Sequence, residues 1–158
     1  MSKILITGAA GFIGYHLSRS LLEDGIIVFG VDNLNNYYDT DLKEQRLKRL
    51  KSFKNFSFKK IDLIDEKKIN NVFLNFNPSI VIHLAAQAGV RYSITNPYEY
   101  FSSNLLGFCN VLHLAKENKA QNDLLVQLQN EDGSPISEED IGEFDEGMFQ
   151  EGGQGPRW

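Results

Sequence analysis

Cysteine occurs once in these 158 residues, at Cys109. That excludes an internal disulfide framework and fits a reducing compartment such as the cytoplasm. No apolar run approaches the roughly 20 residues that a membrane-spanning helix requires. Met1-Ser2-Lys3 passes straight into an apolar run without a basic n-region, so no secretory leader is expected. Positive charge is nearly missing from the last 36 residues, which hold one Lys or Arg against ten Asp or Glu. The first 122 hold 15 against 11. So abrupt a change of sign marks two segments of different composition. The basic residues of the first segment gather between Lys43 and Lys68, without the interleaved aromatics of a nucleic-acid surface. A solvated helical face is the expectation, with no nucleic-acid partner, no membrane partner and no metal site.

What the chain does have is glycine in a demanding pattern. Thr7-Gly8-Ala9-Ala10-Gly11-Phe12-Ile13-Gly14 follows the apolar run Ile4-Leu5-Ile6 and opens an amphipathic segment over 12–22. Strand, glycine turn, helix is the context in which three spaced glycines cradle a diphosphate. Backbone N–H groups at the helix start face the anion, and a Cβ on the turn would block the approach. Gly8 suits the tight turn, Gly11 the close approach and Gly14 the packing of helix on strand.

Ile13, Leu17 and Leu21 recur at four-residue spacing, with Leu22 widening the stripe; His16 beside it reads as a surface or packing residue. Gly25 ends the helix. Residues 26–31 form a nearly continuous apolar run, as in a parallel strand buried on both faces. Asp32 ends that run, where a dinucleotide fold places the acid that accepts from the adenosine ribose hydroxyls. No Arg or Lys follows at once, so a 2′-phosphate would meet an unneutralised carboxylate, and NAD is favoured over NADP.

A charged helix is predicted over 40–52 with the thin apolar face Leu42, Leu47 and Leu50, then a strand over 56–61. Asp65 caps a helix bearing Ile69, Val72, Phe73 and Phe76, stopped by Pro78. A strand over 79–84 precedes Ala85-Ala86-Gln87-Ala88-Gly89, small residues over which a flat cofactor can lie. Asn96-Pro97 starts a helix to about Asn118 with Phe101, Leu105, Phe108, Leu112 and Ala115 as its buried stripe and Cys109 as a small packing residue beside it. Four alternations predict an α/β class fold: a Rossmann-like doubly wound parallel sheet of order 3-2-1-4, with ligand at the carboxyl edge between strands 1 and 4.

These motifs resemble a family. The glycine pattern is similar to that of extended short-chain dehydrogenase/reductases. Residues 32–39 (DNLNNYYD) and 83–93 (HLAAQAGVRYS) resemble the NAD-dependent nucleotide-sugar epimerases and dehydratases, UDP-glucuronate 4-epimerases most of all. The resemblance spans residues 1–119. It implies that Gly8, Gly11, Gly14 and the Phe12 and Ile13 amides hold the diphosphate of NAD. Asp32 and Asn33 would hold the adenosine ribose, and Asp62 and Leu63 would contact adenine. Leu84, Ala85, Ala86 and Gln87 would line the nicotinamide side, with Asn104 near the cofactor. Arg91 would either face an anionic nucleotide-sugar substrate or serve as a surface ion-pair partner. It also implies a homodimer through helices only partly included here.

The family's chemistry oxidises the sugar at C4, turns the 4-keto sugar over and reduces it on the other face, using a Tyr-x-x-x-Lys pair. Four residues after Tyr15, Tyr37, Tyr38, Tyr92, Tyr98 and Tyr100 stand Arg19, Asp41, Leu42, Asn96, Ser102 and Asn104, none of them lysine. No catalytic residue is therefore assigned, and the chain reads as an incomplete cofactor domain, inactive alone. Residues 120–158 carry no resemblance. They read as an acidic, glycine-containing tail, disordered or docking a partner protein, with a short strand expected over 124–129.

Overall fold

The computed structural model describes residues 2–118 apart from Tyr38. Four parallel strands form one sheet: β1 (Lys3–Thr7), β2 (Ile27–Asp32), β3 (Phe56–Lys60) and β4 (Ile80–His83). Their order is β3-β2-β1-β4, as the alternation of elements predicts. Helices α1 (Phe12–Glu23), α2 (Thr40–Leu50) and α3 (Glu66–Phe76) connect them. After β4 come two short helices, α4 (Val90–Thr95) and α5 (Pro97–Phe101), a π-helical turn (Ser102–Leu106) and α6 (Gly107–Glu117).

The pleat explains why β1 is apolar throughout. Leu5 points to one face, where it joins Val81 and the buried sides of α3 and α6. Ile4 and Ile6 point to the other, against Tyr15, Leu22, Leu47 and Leu50 of α1 and α2. A strand covered on both faces has no polar alternation to show. Asp39 caps α2 by accepting from Asp41 and Leu42, and Asp65 caps α3 by accepting from Lys68. Gly25, at φ +78°, closes α1, and His16 stands exposed against the rings of Phe12 and Tyr15.

Three expectations fail here. The helix start at Asn96-Pro97 is present, but α4 precedes it and Asn96 makes no side-chain cap. The expected stripe holds only at Ala115, which is buried, and in part at half-buried Phe108: Phe101 is 60% exposed and Leu105 and Leu112 nearly half, while Gly107, Val111 and Leu114 are buried instead. The cause is the π turn, in which Gly107 N–H donates to Ser102 O. Its extra residue rotates the downstream helix by about 100°, so no single stripe runs through 97–118. Cys109 consequently lies exposed rather than packed. Lys43 is the third: expected on a solvated face, it is buried on α2, while Leu42 is exposed. The tail and the expected strand over 124–129 lie outside the described residues.

Candidate cofactor site

The site is built at the carboxyl ends of β1, β2 and β4. Gly8, at φ +71°, makes the turn out of β1, and a Cβ there would stand 2.8 Å from the Leu84 and Ala85 backbone. A Cβ on Gly14 would drive into the Gly8 carbonyl and stand 2.9 Å from Ala9 Cα. Gly11 differs: a Cβ would meet only Gly8 O, at 3.1 Å, with open space beyond. Two glycines are thus demanded by the protein's own packing, and the third keeps a concavity free.

The donors around that concavity are unevenly used. Ala9 N–H donates to Val31 O, Ala10 N–H to Asp32 and Gly11 N–H to Gly8 O. The Phe12, Ile13 and Gly14 N–H groups that open α1 have no acceptor among the described residues, and Gly11 supplies no side-chain cap. Orphan donors at a helix start, with the dipole behind them, suit an anion.

Asp32 is buried beside this turn. Its Oδ2 accepts from Ala10 N–H at 3.1 Å and its Oδ1 from Leu34 N–H at 2.8 Å. A carboxylate has about four lone-pair sites, so two backbone bonds leave room for a ligand's hydroxyls. Asn33 and Asp62 are brought together at the ends of β2 and β3, Asn33 Nδ2 donating to Asp62 Oδ2 at 3.2 Å. Leu63 is placed otherwise: its side chain is buried in the core and its carbonyl accepts from Asn110.

On the β4 side, Leu84 and Ala85 are half-buried, Ala86 is exposed and Gln87 is buried. Asn104, on the π turn, accepts from Gln87 N–H at 2.6 Å and donates to Gln87 O at 3.0 Å. Both ends of its amide grip one residue's backbone, so it fixes the loop after β4. The loop after β2 reaches the same segment. Asn35 Nδ2 donates to Gln87 Oε1, and the Tyr37 and Tyr92 rings meet edge-on at 4.8 Å. Gly89, at φ +98°, lies where a side chain would overlap the Tyr37 hydroxyl. The two stretches that carry the family resemblance are therefore in contact, arching from β2 to β4. Arg91 is exposed on α4.

Sequence reasoning assigned no role to four contributors. Thr7 and His83, paired in register at the ends of β1 and β4, are both buried, with Thr7 Oγ1 2.8 Å from His83 Nδ1. The hydroxyl accepts from the Leu84 and Ala85 N–H groups, which leaves its one proton for Nδ1 and assigns His83 the neutral Nε2–H tautomer. Burial pushes the His83 pKa down to about 4, in keeping with that neutral form. Arg46 of α2 donates to Ala10 O at 3.2 Å and lies over the Phe12 ring. Lys43 Nζ donates to the Asn35 carbonyl and Oδ1. A polar residue ending each of two adjacent apolar strands was the available signal for Thr7 and His83; none existed for the α2 cations. An open groove between α2 and β3, lined by Lys48, Lys51, Phe58 and Lys60 among others, contains none of the cradle residues.

Known proteins share this sequence and fold. The family model described as GDP-mannose 4,6 dehydratase matches residues 5–128. Protein CapI of Staphylococcus aureus is 49% identical over 120 residues, covering 76% of this chain and 36% of that protein. A UDP-glucuronate 4-epimerase of Thermodesulfobacterium geofontis is 47% identical over 117 residues, covering 74% and 36%. The crystal structure of Thermus thermophilus UDP-glucose 4-epimerase in complex with NAD superposes with a TM-score of 0.64 at 28% identity, covering 85% of this chain and 44% of that one. The chain spans about a third of the length of the curated relatives it matches.

Proposed function

This chain belongs to the GDP-mannose 4,6 dehydratase family, and from that premise we propose that it is the cofactor-binding portion of an NAD-dependent nucleotide-sugar 4-epimerase acting on UDP-glucuronate. The observation that carries the reading is the row of orphan N–H groups at Phe12, Ile13 and Gly14, facing the space that Gly11 leaves open beside Asp32. A dinucleotide fits that arrangement: diphosphate on the amides, adenosine ribose on Asp32 and Asn33, adenine by Asp62 and the Leu63 backbone. Its nicotinamide end would lie along Leu84, Ala85, Ala86 and Gln87, with Asn104 holding that loop in place.

Bound NAD supplies a hydride acceptor that returns the hydride within one turnover. The residues of this chain bind and orient it, and the contacts of Asn35 and Tyr37 with Gln87, Gly89 and Tyr92 would exclude water from one side of it. Arg91 is the candidate contact for the anionic sugar nucleotide. Residues 1–119 form the cofactor domain in this reading, and 120–158 an acidic tail, solvated or docking a partner protein. The parent would work as a homodimer in the cytoplasm, where exposed Cys109 stays reduced.

With no Tyr-x-x-x-Lys in the sequence, the chain binds without turning over. Incubation with UDP-glucuronate and NAD should give no UDP-galacturonate by chromatography; epimer formation would overturn the assignment of inactivity. A dehydratase parent is the second reading, favoured by the description of the family model. A 4-keto-6-deoxy product from the complete reading frame would select it.

A further inference from the structure

Lys43 is a buried cation on α2, 7% exposed, yet among the described residues ion pairs join only Arg19 to Glu23 and Lys68 to Asp65. Its Nζ instead donates twice to one residue, to the Asn35 carbonyl at 3.1 Å and to Asn35 Oδ1 at 2.9 Å. An ammonium has donors and no acceptor, so it fixes which end of the Asn35 amide faces it. The other end, Nδ2, donates to Gln87 Oε1 at 3.3 Å, and Gln87 Nε2 donates to Ala88 O at 3.2 Å. Every link runs in the same sense, from α2 through the loop after β2 to the loop after β4. Hydrogen bonds aligned in this way polarise and strengthen one another. Asn104 separately holds the Gln87 backbone.

We infer that Lys43 is a positioning residue for the cofactor: through Asn35 and Gln87 it sets the loop after β4, along which the nicotinamide half of NAD would lie. The inference rests on the dinucleotide reading of the cradle. Without the ammonium nothing fixes the Asn35 amide, which is then free to turn its oxygen toward Gln87 Oε1 and break the chain of donors. The α1 amides and Asp32, which hold the diphosphate and adenosine half in that reading, are placed without Lys43. Asp32 is fixed by the Ala10 and Leu34 N–H groups. Loss of Lys43 therefore falls mainly on the nicotinamide half.

The test is isothermal titration of the full 158-residue chain and its Lys43→Met and Asn35→Asp variants with NAD and with ADP, which lacks the nicotinamide half. Asn35→Asp still accepts from Lys43 but has no donor for Gln87, so it cuts the relay while leaving Lys43 paired and the fold intact should Lys43→Met not fold. The wild type should bind NAD more tightly than ADP. Each variant should weaken NAD by about tenfold, on the scale of one hydrogen bond, and ADP by clearly less. Loss of positive charge alone would act the other way, because ADP carries more negative charge than NAD. An equal or larger loss of ADP in either variant would overturn the inference, and so would unchanged NAD binding by Asn35→Asp. Wild-type binding of ADP as tight as that of NAD would overturn it too, and leave the diphosphate cradle standing. Binding of neither would overturn the cofactor reading and this inference together.

Discussion

The glycine turn and the helices after β4 solve opposite problems with similar residues. At the turn, between β1, β2 and β4, three glycines and two alanines leave almost no tolerance: Ala9 and Ala10 are fully buried, and Cβ atoms at Gly8 and Gly14 would strike backbone. Along 97–118 the chain carries more apolar bulk, yet Tyr98, Phe101, Leu105, Leu106 and Leu112 remain exposed. The difference lies in cover. The turn sits inside a sheet packed on both faces; the later helices cover one face and present the other outward. Backbone proximity fixes residue identity in the first region. In the second, burial is decided by a single extra residue in the π turn.

The largest test of this contrast is substitution within the turn. Gly8→Ala and Gly14→Ala should each cost about 3 kcal/mol or more, from overpacking and, at Gly8, a side chain forced to positive φ. Gly11→Ala should cost under about 1 kcal/mol, as expected for alanine at a helix start, measured by urea unfolding. Equal losses at all three positions would break the distinction between packing glycines and the one that keeps the cradle open.

His83 extends the test to pH. Its pKa is lowered to about 4 in the fold against about 6.5 unfolded, so the unfolded chain takes up the proton first as the pH falls. Its contribution is complete above about pH 6.5 and is lost on acidification toward about pH 4, about 3 kcal/mol in all. His83→Gln should flatten that part of the stability profile; an unchanged slope would mean that another group carries it.

The smallest effects sharpen the second region. Val111→Ala removes a fully buried side chain and should cost about 1–3 kcal/mol. Phe101→Ala, though it deletes far more bulk, should stay within about 0.5 kcal/mol at its exposed position. The reverse ranking by thermal unfolding would restore the stripe read from periodicity.

Strand order and the buried faces of β1 and β2 were legible because continuous apolar runs and helix spacing are local signals. The closing glycine of α1 and the cap at Asp65 are likewise local. What escaped depends on residues far apart in the chain. Thr7 and His83, 76 positions apart, meet only through the β1–β4 register. Arg46 reaches Ala10 across 36 positions, so its hold on the glycine turn was invisible to a reading of immediate neighbours in sequence. The π turn shifted the buried positions downstream of it from Leu112 to Val111 and Leu114 without any break in helical composition. Asn104 was legible by resemblance, but its bidentate hold on Gln87 was not.

Calorimetric titration of the full chain with NAD, set beside the Gly11→Ala variant, tests the central claim most directly. The account predicts saturable one-to-one binding by the wild type and a large loss in Gly11→Ala with its unfolding transition nearly unmoved. Absence of binding by the folded wild type, or undiminished binding by Gly11→Ala, would contradict it.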